Sequence, residues 1–255
     1  ACARRAVPLL VAALAGMTAP AAAAADPGTV AGTVAALARE AAAGQARLSY
    51  ADLWAALEYT DAAPGAPGHV VLFYSGRHHP AGDKVSGRLN PEHGPDSWNR
   101  EHVWPKSRGF RDDRALAHND LHHIRATDVT CNADRAALDF DEGGRPLADC
   151  RARADADSFE PDDAIKGDVA RMLFYMDVRY NGGGGTADLR LVPGLGDPRA
   201  GELGDLCTLL AWHAADPVDA IEAERHARIV EVQGNRNPFV DRPDLAGQVF
   251  GAHCS

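Results

Sequence analysis

Apolar residues recur at helical spacing in three parts of the chain. Residues 30–42 place Val30, Val34, Leu37 and Ala41 on one face, which predicts an amphipathic helix. A second apolar-rich run begins after Ser49, a residue type that caps helix N-termini. Residues 162–180 carry an apolar stripe that ends at the glycine run 181–185, and we predict a third helix there.

The remaining pattern predicts one more helix and a small amount of sheet. Asp216 and Pro217 have the chemistry of an N-cap and a first turn, so we expect a helix to follow and to continue to about residue 233. The run "HVVLFYSG", residues 69–76, predicts a strand, and residues 77–97 predict a long loop or a loose hairpin. We therefore expect the α+β class, with helices outside a small β centre.

The first 25 residues have the composition of a secretory signal. Arg4 and Arg5 precede an apolar run at residues 7–17 and a tail of small residues. The apolar run is shorter than the roughly 20 residues that a membrane-spanning helix needs. We expect a signal peptide at residues 1–25, a single domain over residues 26–255, and a secreted protein, extracellular or periplasmic, without a membrane anchor after cleavage.

Four cysteines follow this segment: Cys131, Cys150, Cys207 and Cys254. An even number in an exported chain predicts two disulfides, for which three pairings exist. We favour Cys131 with Cys150 and Cys207 with Cys254, because each pairing closes a modest loop. None of the four has the short spacing of a zinc ligand pair.

The charge is distributed unevenly. The net charge is −10, so the chain as a whole repels nucleic acid, and a site for a polyanion requires a local basic patch or a metal. Residues 100–125 supply such a patch. Their cations are Arg100, Lys106, Arg108, Arg111, Arg114 and Arg125, against the acids Glu101, Asp112, Asp113 and Asp120.

Glu101 and His102 lie side by side within this patch. A carboxylate offers hard oxygens to Mg²⁺ or Ca²⁺, and a neutral imidazole accepts a proton from water near pH 7, which together describe metal-assisted hydrolysis. Neighbours on a strand point to opposite faces, so both serve one site only where the strand ends or bulges, and Pro105 favours such an ending. The alternative is a solvated Glu101 beside a His102 that merely packs.

Four segments occur in the order and at the spacing found in the bacterial endonuclease I family: "WNREHVWPKSRGF", "NDLHHIRATDVTCNADR", "KGDVARMLFYMDVRY" and "QGNRNPFVDRP". The chain resembles these secreted and periplasmic nucleases from about residue 50 to about residue 245. The resemblance implies a ββα-metal (His-Me finger) core surrounded by helices. It also implies a non-specific endonuclease that cuts DNA, RNA or both and leaves 5′-phosphate products.

The resemblance also implies the roles of the site residues. His102 would be the general base, and Glu101 and Asn132 would bind one divalent ion, Mg²⁺ with Ca²⁺ or Mn²⁺ as substitutes. Residues 120–128 would form the second strand of the core and residues 129–138 its helix, capped by Asp128 or Thr130.

Cations near the Glu-His pair are the expected substrate contacts: Arg100, Lys106, Arg108 and Arg111. Several members of that family support the transition state with an arginine from the loop that follows. The short loop here leaves that role unassigned, with Arg108 and Arg111 as the candidates. Asp120, His122 and Arg135 match the family blocks, and we expect them to be structural. We expect a monomer with nucleic acid as its partner.

Two alternatives from other functional classes remain. One is a secreted binding module that has the same fold but is catalytically inactive, which has no physical reason to keep Glu101, His102 and Asn132 together. The other is a zinc-dependent phosphoesterase, suggested by the pairs His78-His79 and His122-His123. Adjacent histidines on a strand point apart, which weakens the zinc hypothesis.

Overall fold

Helices account for most of the regular structure in the computed structural model, which describes residues 28–87 and 97–254. The helices are α1 (Val30–Ala42), α2 (Leu53–Thr60), α3 (Val129–Arg135), α4 (Lys166–Arg179), α5 (Leu206–Ala215), α6 (Ala220–Gln233), α7 (Pro238–Asp241) and α8 (Leu245–Phe250). The strands are β1 (His69–Val71), β2 (His78–Pro80), β3 (Trp98–His102), β4 (Ile124–Asp128), β5 (Asp139–Phe140), β6 (Arg145–Pro146), β7 (Ala152–Ala154), β8 (Ser158–Pro161), β9 (Arg190–Leu191) and β10 (Glu202–Leu203). This content confirms the α+β class.

The expected signal peptide at residues 1–25 lies outside the described residues. Among the helices that are described, none is both long and apolar enough to cross a bilayer.

The helix at the centre of the core is α4, and its position confirms the predicted stripe. Every residue of α4 except Asp168 and Asp177 is buried, with α1 and α5 packed against it. Helix α4 approaches the end of α5 so closely at Gly167 that a Cβ there would lie 1.9 Å from the carbonyl oxygen of Asp216. Only glycine fits there. As predicted, α4 stops before the glycine run, whose Gly182 has a φ of +78°.

The first two helices also form where the sequence predicts them. Thr29 caps α1 by accepting a hydrogen bond from the Gly32 N–H (3.1 Å). Before α2, the Ser49 hydroxyl accepts from the Asp52 N–H, and the Asp52 carboxylate accepts from the Ser49 N–H (2.8 Å). This exchange is a reciprocal cap, although the helix itself begins one turn later than the sequence suggested.

The prediction that Asp216 and Pro217 start the next helix was wrong. Asp216 ends α5, and α6 is capped instead by Asp219, whose carboxylate accepts from the Glu222 N–H (2.8 Å). Helix α5 was not predicted, because its residues, "LCTLLAWHAA", are apolar almost throughout and have no clear helical period. Its start is marked by Asp205, which accepts from the N–H groups of Cys207 and Thr208.

The predicted strand at residues 69–76 is shorter than expected. It covers β1 alone and pairs antiparallel with β2, so the region forms a hairpin. Between the two strands the chain turns tightly, with the Gly76 N–H bonded to the Leu72 carbonyl (2.8 Å). Part of the predicted loop, residues 88–96, is outside the described residues.

Strands β3 and β4 pair antiparallel over their full length, from Trp98 opposite Asp128 to His102 opposite Ile124. Helix α3 follows β4 without a loop. Neither expected cap of α3 forms: Thr130 lies inside the helix, and the Asp128 carboxylate accepts a hydrogen bond from Arg77 instead (3.0 Å).

Both favoured disulfides are present. Cys131 on α3 is bonded to Cys150, and Cys207 on α5 is bonded to Cys254. The first therefore anchors the helix that follows β4 to the segment that leads into β7.

The buried carboxylate of Asp120, which lies just before β4, joins this strand pair to the helices. Its oxygens accept hydrogen bonds from Tyr180 (2.6 Å), Tyr175 (2.7 Å), Gln233 (2.7 Å) and Gln45 (2.8 Å). The tyrosines belong to α4 and the residue after it, and Gln233 ends α6. Asp120 therefore has the structural role that the sequence suggested.

His122 is buried beside this centre, and we predict that it makes stability depend on pH. Its ring packs on Tyr175, and burial lowers the pKa of His122 to about 4. As the pH falls from about 6.5 towards 4, the unfolded chain takes up a proton at His122 that the folded chain does not, so this residue alone lowers the free energy of unfolding by about 1.4 kcal/mol per pH unit. Buried His123, whose pKa is also lowered to about 4, adds to the slope of the wild type. Urea unfolding at several pH values measures this slope.

The matched control is His122→Phe, which keeps a ring against Tyr175 but cannot titrate. Its free energy of unfolding should fall less steeply over the same pH range than that of the wild type. Equal slopes for the two proteins would show that His122 does not contribute.

Candidate active site

A cleft of about 390 Å³ opens at the end of β3. The side chains that line it include Tyr50, Asn99, Arg100, Glu101, His102, Lys106 and Asn132. The three residues with expected roles in catalysis and metal binding therefore face one space.

The edge of β3 explains how neighbours on a strand serve the same cleft. Arg100 and His102 lie on one face, beside the Tyr50 ring, whereas Glu101 lies on the other face, beside α3. One edge of β3 faces β4. At the other edge, beyond Trp98, the described chain brings in Asn132, whose amide donates a hydrogen bond to the Arg100 carbonyl (3.3 Å). Because the cleft follows this edge and the strand ends at His102, side chains from both faces reach it.

Glu101 is buried and held through one of its oxygens. Oε1 accepts a hydrogen bond from the Tyr74 hydroxyl (3.0 Å) and lies 3.7 Å from Nε of Arg135. Burial raises the pKa of Glu101, although Arg135 and the Tyr74 hydrogen bond oppose the rise. A cation bound beside this carboxylate would offset the cost of burying its charge.

Asn132 has its amide orientation fixed by two acceptors. Its Nδ2 donates to Oδ1 of Asn99 (2.8 Å) and to the carbonyl of Arg100 (3.3 Å). The Arg100 carbonyl can only accept, and Asn99 presents its oxygen because its own nitrogen donates to the Gly87 carbonyl (3.0 Å). The Asn132 amide therefore turns its nitrogen towards them, and Oδ1 is the atom available to another partner.

The donor set suits a hard divalent cation. It combines a carboxylate and an amide oxygen at one cleft, which are ligand types that Mg²⁺ and Ca²⁺ accept while keeping several waters. Over the described ranges, no group of three or more His, Cys, Asp or Glu side chains is placed to hold a metal ion.

His102 is held as a neutral ring, and one of its nitrogens makes no hydrogen bond to the described residues. Its Nε2 lies 3.0 Å from the His118 carbonyl, an obligate acceptor, so Nε2 carries the proton and Nδ1 has the lone pair. Burial lowers the pKa of His102 well below its usual value, and the neighbouring His123 and His118 act in the same direction. The ring is therefore neutral at pH 7 and able to accept a proton.

Two of the four expected substrate-contacting cations line the cleft. Lys106 is exposed at its rim, and Arg100 is buried in its wall. Both lie near the Tyr50 ring, Arg100 with its guanidinium carbon 3.4 Å from the ring centroid.

The other two lie outside the cleft. Arg108 is buried and donates to the carbonyls of Ala137 (2.6 Å) and Glu202 (2.8 Å), and it pairs with Asp139 (3.0 Å). These contacts brace the segment after α3 and occupy the guanidinium. Arg111 is exposed on the surface and does not line the cleft.

Several residues that support the site carried no signal in the sequence. Tyr50, Tyr74 and His118 are distant from the Glu-His pair along the chain, and they meet it only through folding. Arg135 carried a signal, because it follows Asn132 by one helical turn within a matching segment. Its guanidinium donates to the Val103 carbonyl (2.9 Å) and pairs with Glu101, which is the structural role expected of it.

Comparison with known proteins gives consistent matches. The family model described as Endonuclease I matches residues 35–244. An extracellular ribonuclease of Bacillus amyloliquefaciens is 44% identical over 209 residues, which are 81% of this chain and 70% of the relative. An extracellular ribonuclease of Bacillus subtilis is 43% identical over the same shares. An extracellular deoxyribonuclease of Aeromonas hydrophila is 27% identical over 172 residues, 62% of this chain and 68% of the relative. The segment matched by the family model contains every residue described above as lining the cleft.

Proposed function

The chain belongs to the endonuclease I family, and on that premise we propose that it cuts nucleic acid with His102 as general base beside one divalent ion at Glu101 and Asn132. As a member of this family the chain is an endonuclease. Its relatives are named extracellular or periplasmic nucleases, which indicates that the chain is secreted. The observation that carries the mechanism is that these three side chains line a single cleft. Removal of residues 1–25 as a signal peptide, leaving one domain over residues 26–255, is part of the proposal.

The strand pair β3–β4 and helix α3 are the part of the fold that we propose as the ββα-metal core. In support, two antiparallel strands run directly into a helix, with Glu101 and His102 at the end of the first strand and Asn132 on the helix. Helices α4 and α6 are joined to the segment before β4 through Asp120, whose carboxylate accepts from Tyr175 and Gln233.

His102 supplies the proton chemistry. Its Nδ1 takes a proton from a water in the cleft as that water attacks the phosphorus, while the His118 carbonyl holds the ring in place. Tyr74 and Arg135 hold the Glu101 carboxylate, and Asn99 holds the Asn132 amide, so both metal ligands are oriented in advance. When bound, Mg²⁺, or Ca²⁺ or Mn²⁺ in its place, would neutralise charge on the phosphate and on the departing 3′ oxygen, giving a 5′-phosphate product.

The substrate is proposed to be DNA, RNA or both. Lys106 at the rim and Arg100 in the wall suit a phosphodiester backbone, and backbone contacts carry no base sequence. Relatives named ribonuclease are 44% and 43% identical to this chain, and one named deoxyribonuclease is 27% identical, so both RNA and DNA are kept as proposed substrates.

We predict that His102→Ala and Glu101→Ala each lower the cutting of plasmid DNA and of structured RNA by about 10²-fold or more. The two variants should differ in metal binding, because only Glu101→Ala removes a ligand. Calorimetric titration with Mg²⁺ or Mn²⁺ should therefore show binding retained in His102→Ala and lost in Glu101→Ala. EDTA should abolish cutting by the wild type.

His69→Ala is the matched control, since His69 lies on β1 and does not line the cleft. It should cut at the wild-type rate. If His102→Ala cuts as fast as this control, His102 is not the general base.

We also predict that the disulfide at Cys131 supports metal affinity. Cys131 precedes Asn132 on α3, so losing its bond to Cys150 loosens the helix that carries a ligand. The double variant Cys131→Ala/Cys150→Ala should bind Mg²⁺ about 10-fold more weakly by calorimetry while remaining folded by circular dichroism.

The control variant, Cys207→Ala/Cys254→Ala, removes the other disulfide, which joins α5 to the turn after α8. It should leave metal affinity close to the wild-type value. Equal weakening in both double variants would attribute the effect to general stability instead.

A further inference from the structure

Arg100 is a buried cation that has no carboxylate partner in the described chain. It is 8% exposed. Five other buried arginines are paired with an acid, as follows: Arg108 with Asp139, Arg125 with Asp61, Arg135 with Glu101, Arg171 with Glu222 and Arg225 with Asp61. Buried Arg179 also lacks an acid, but its Nε and one terminal nitrogen both donate to Oε1 of Gln45 (2.9 and 2.6 Å). A buried charge without a partner is costly, so its position needs a reason.

Two aromatic rings hold the Arg100 side chain. Its guanidinium carbon lies 3.4 Å from the centroid of the Tyr50 ring and 4.0 Å from the centroid of the Trp54 ring. Two rings so close to one carbon fit only on opposite faces of the guanidinium plane, an arrangement that favours the cation. The rings therefore cover both faces of the guanidinium, and only its edge, which carries the N–H donors, can bind another group.

The donors on that edge are largely unused. One of them bonds to the Tyr50 carbonyl, whereas the buried Nε has no hydrogen-bond partner within the described residues. Arg108 differs, because its donors are satisfied by carbonyls and by Asp139. A planar edge of free N–H groups is the arrangement that binds two oxygens of a phosphate.

Arg100 forms part of the cleft wall. Arg100 lines it together with Glu101 and His102, and both Arg100 and His102 are neighbours of the Tyr50 ring. Of the cations that follow the Glu-His pair, Lys106 lines the cleft, whereas Arg108, Arg111 and Arg114 do not.

We propose that Arg100 contacts the scissile phosphodiester and neutralises its developing charge, with Tyr50 and Trp54 as positioning residues that hold the guanidinium. This assignment rests on the proposed nuclease function.

The first test compares Arg100→Gln with the wild type on plasmid DNA under saturating Mg²⁺. We expect kcat to fall by about 10²-fold or more, because charge stabilisation is lost in the transition state. Arg39→Gln removes the same charge from an exposed position on α1 and should leave kcat unchanged. A wild type that fails to cut at all would overturn the proposed function, whereas wild-type cutting with an unchanged kcat in Arg100→Gln overturns the role of Arg100 alone.

A second readout needs no cleavage. Binding of a fluorescein-labelled single-stranded oligonucleotide is measured in EDTA at several salt concentrations. Loss of one phosphate contact in Arg100→Gln should make the slope of log K against log [salt] shallower by about 0.7. An arginine that merely packs would leave the slope as in Arg39→Gln, and that result counts against the proposal.

The positioning role is tested at Tyr50, which also covers the case in which Arg100→Gln does not fold. Tyr50→Phe keeps an aromatic face against the guanidinium and Tyr50→Leu removes it, so Tyr50→Leu should lose the larger share of kcat with little change in KM. In Arg100→Ala, methylguanidinium should restore part of kcat by entering between the rings, and methylammonium should not. The proposal is excluded if Tyr50→Phe and Tyr50→Leu lose the same share of kcat and methylguanidinium restores no activity to Arg100→Ala.

Discussion

The carboxylate of Asp120 is the contact on which the arrangement of the site depends. It is fully buried and accepts hydrogen bonds from side chains of the segment after α1, of α4 and of α6. A buried acceptor with several donors is stable only when all of them converge, so the start of β4 is fixed relative to three helical segments at once. Because β3 takes its position from β4, Glu101 and His102 are placed by the same contact.

The cleft itself is built from a short length of chain. Asn99 to His102 provide the orienting amide, a cation, a carboxylate and an imidazole, and α3 returns Asn132 to the same strand edge. Long-range folding supplies the surroundings: Tyr74 holds Glu101, the His118 carbonyl holds the imidazole, and Tyr50 covers Arg100. Chemistry is therefore local in sequence, and its orientation is set by tertiary structure.

This division explains what the sequence predicted well. The period in α4 and the glycine run after it are local signals, and both were sufficient to place the helix. The pairing of Cys131 with Cys150 followed from loop length, which is also local. The start of α6 was misplaced because Asp216 and Asp219 have equal capping chemistry, and only packing against α4 decides between them.

The sequence predicted that Glu101, His102 and Asn132 meet at one place, but it did not predict the side chains that support them. Arg100 and Arg108 are the same residue type and lie close together along the chain. The guanidinium of Arg108 is hydrogen-bonded to backbone carbonyls, whereas Arg100 lines the cleft. Charge patterning cannot separate them, because the difference lies in partners that are distant along the chain. Tyr50 shows the same limit, since nothing in its own segment marks it as the neighbour of an arginine and of an imidazole.

The bond between Cys131 and Cys150 also bears on where the enzyme becomes complete. Disulfides persist in oxidising compartments and are rare in the cytosol, where thiols are kept reduced. The helix that carries Asn132 gains its covalent anchor only after export. The chain thus reaches its final rigidity on the far side of the membrane from the genome and the transcripts of the cell that makes it.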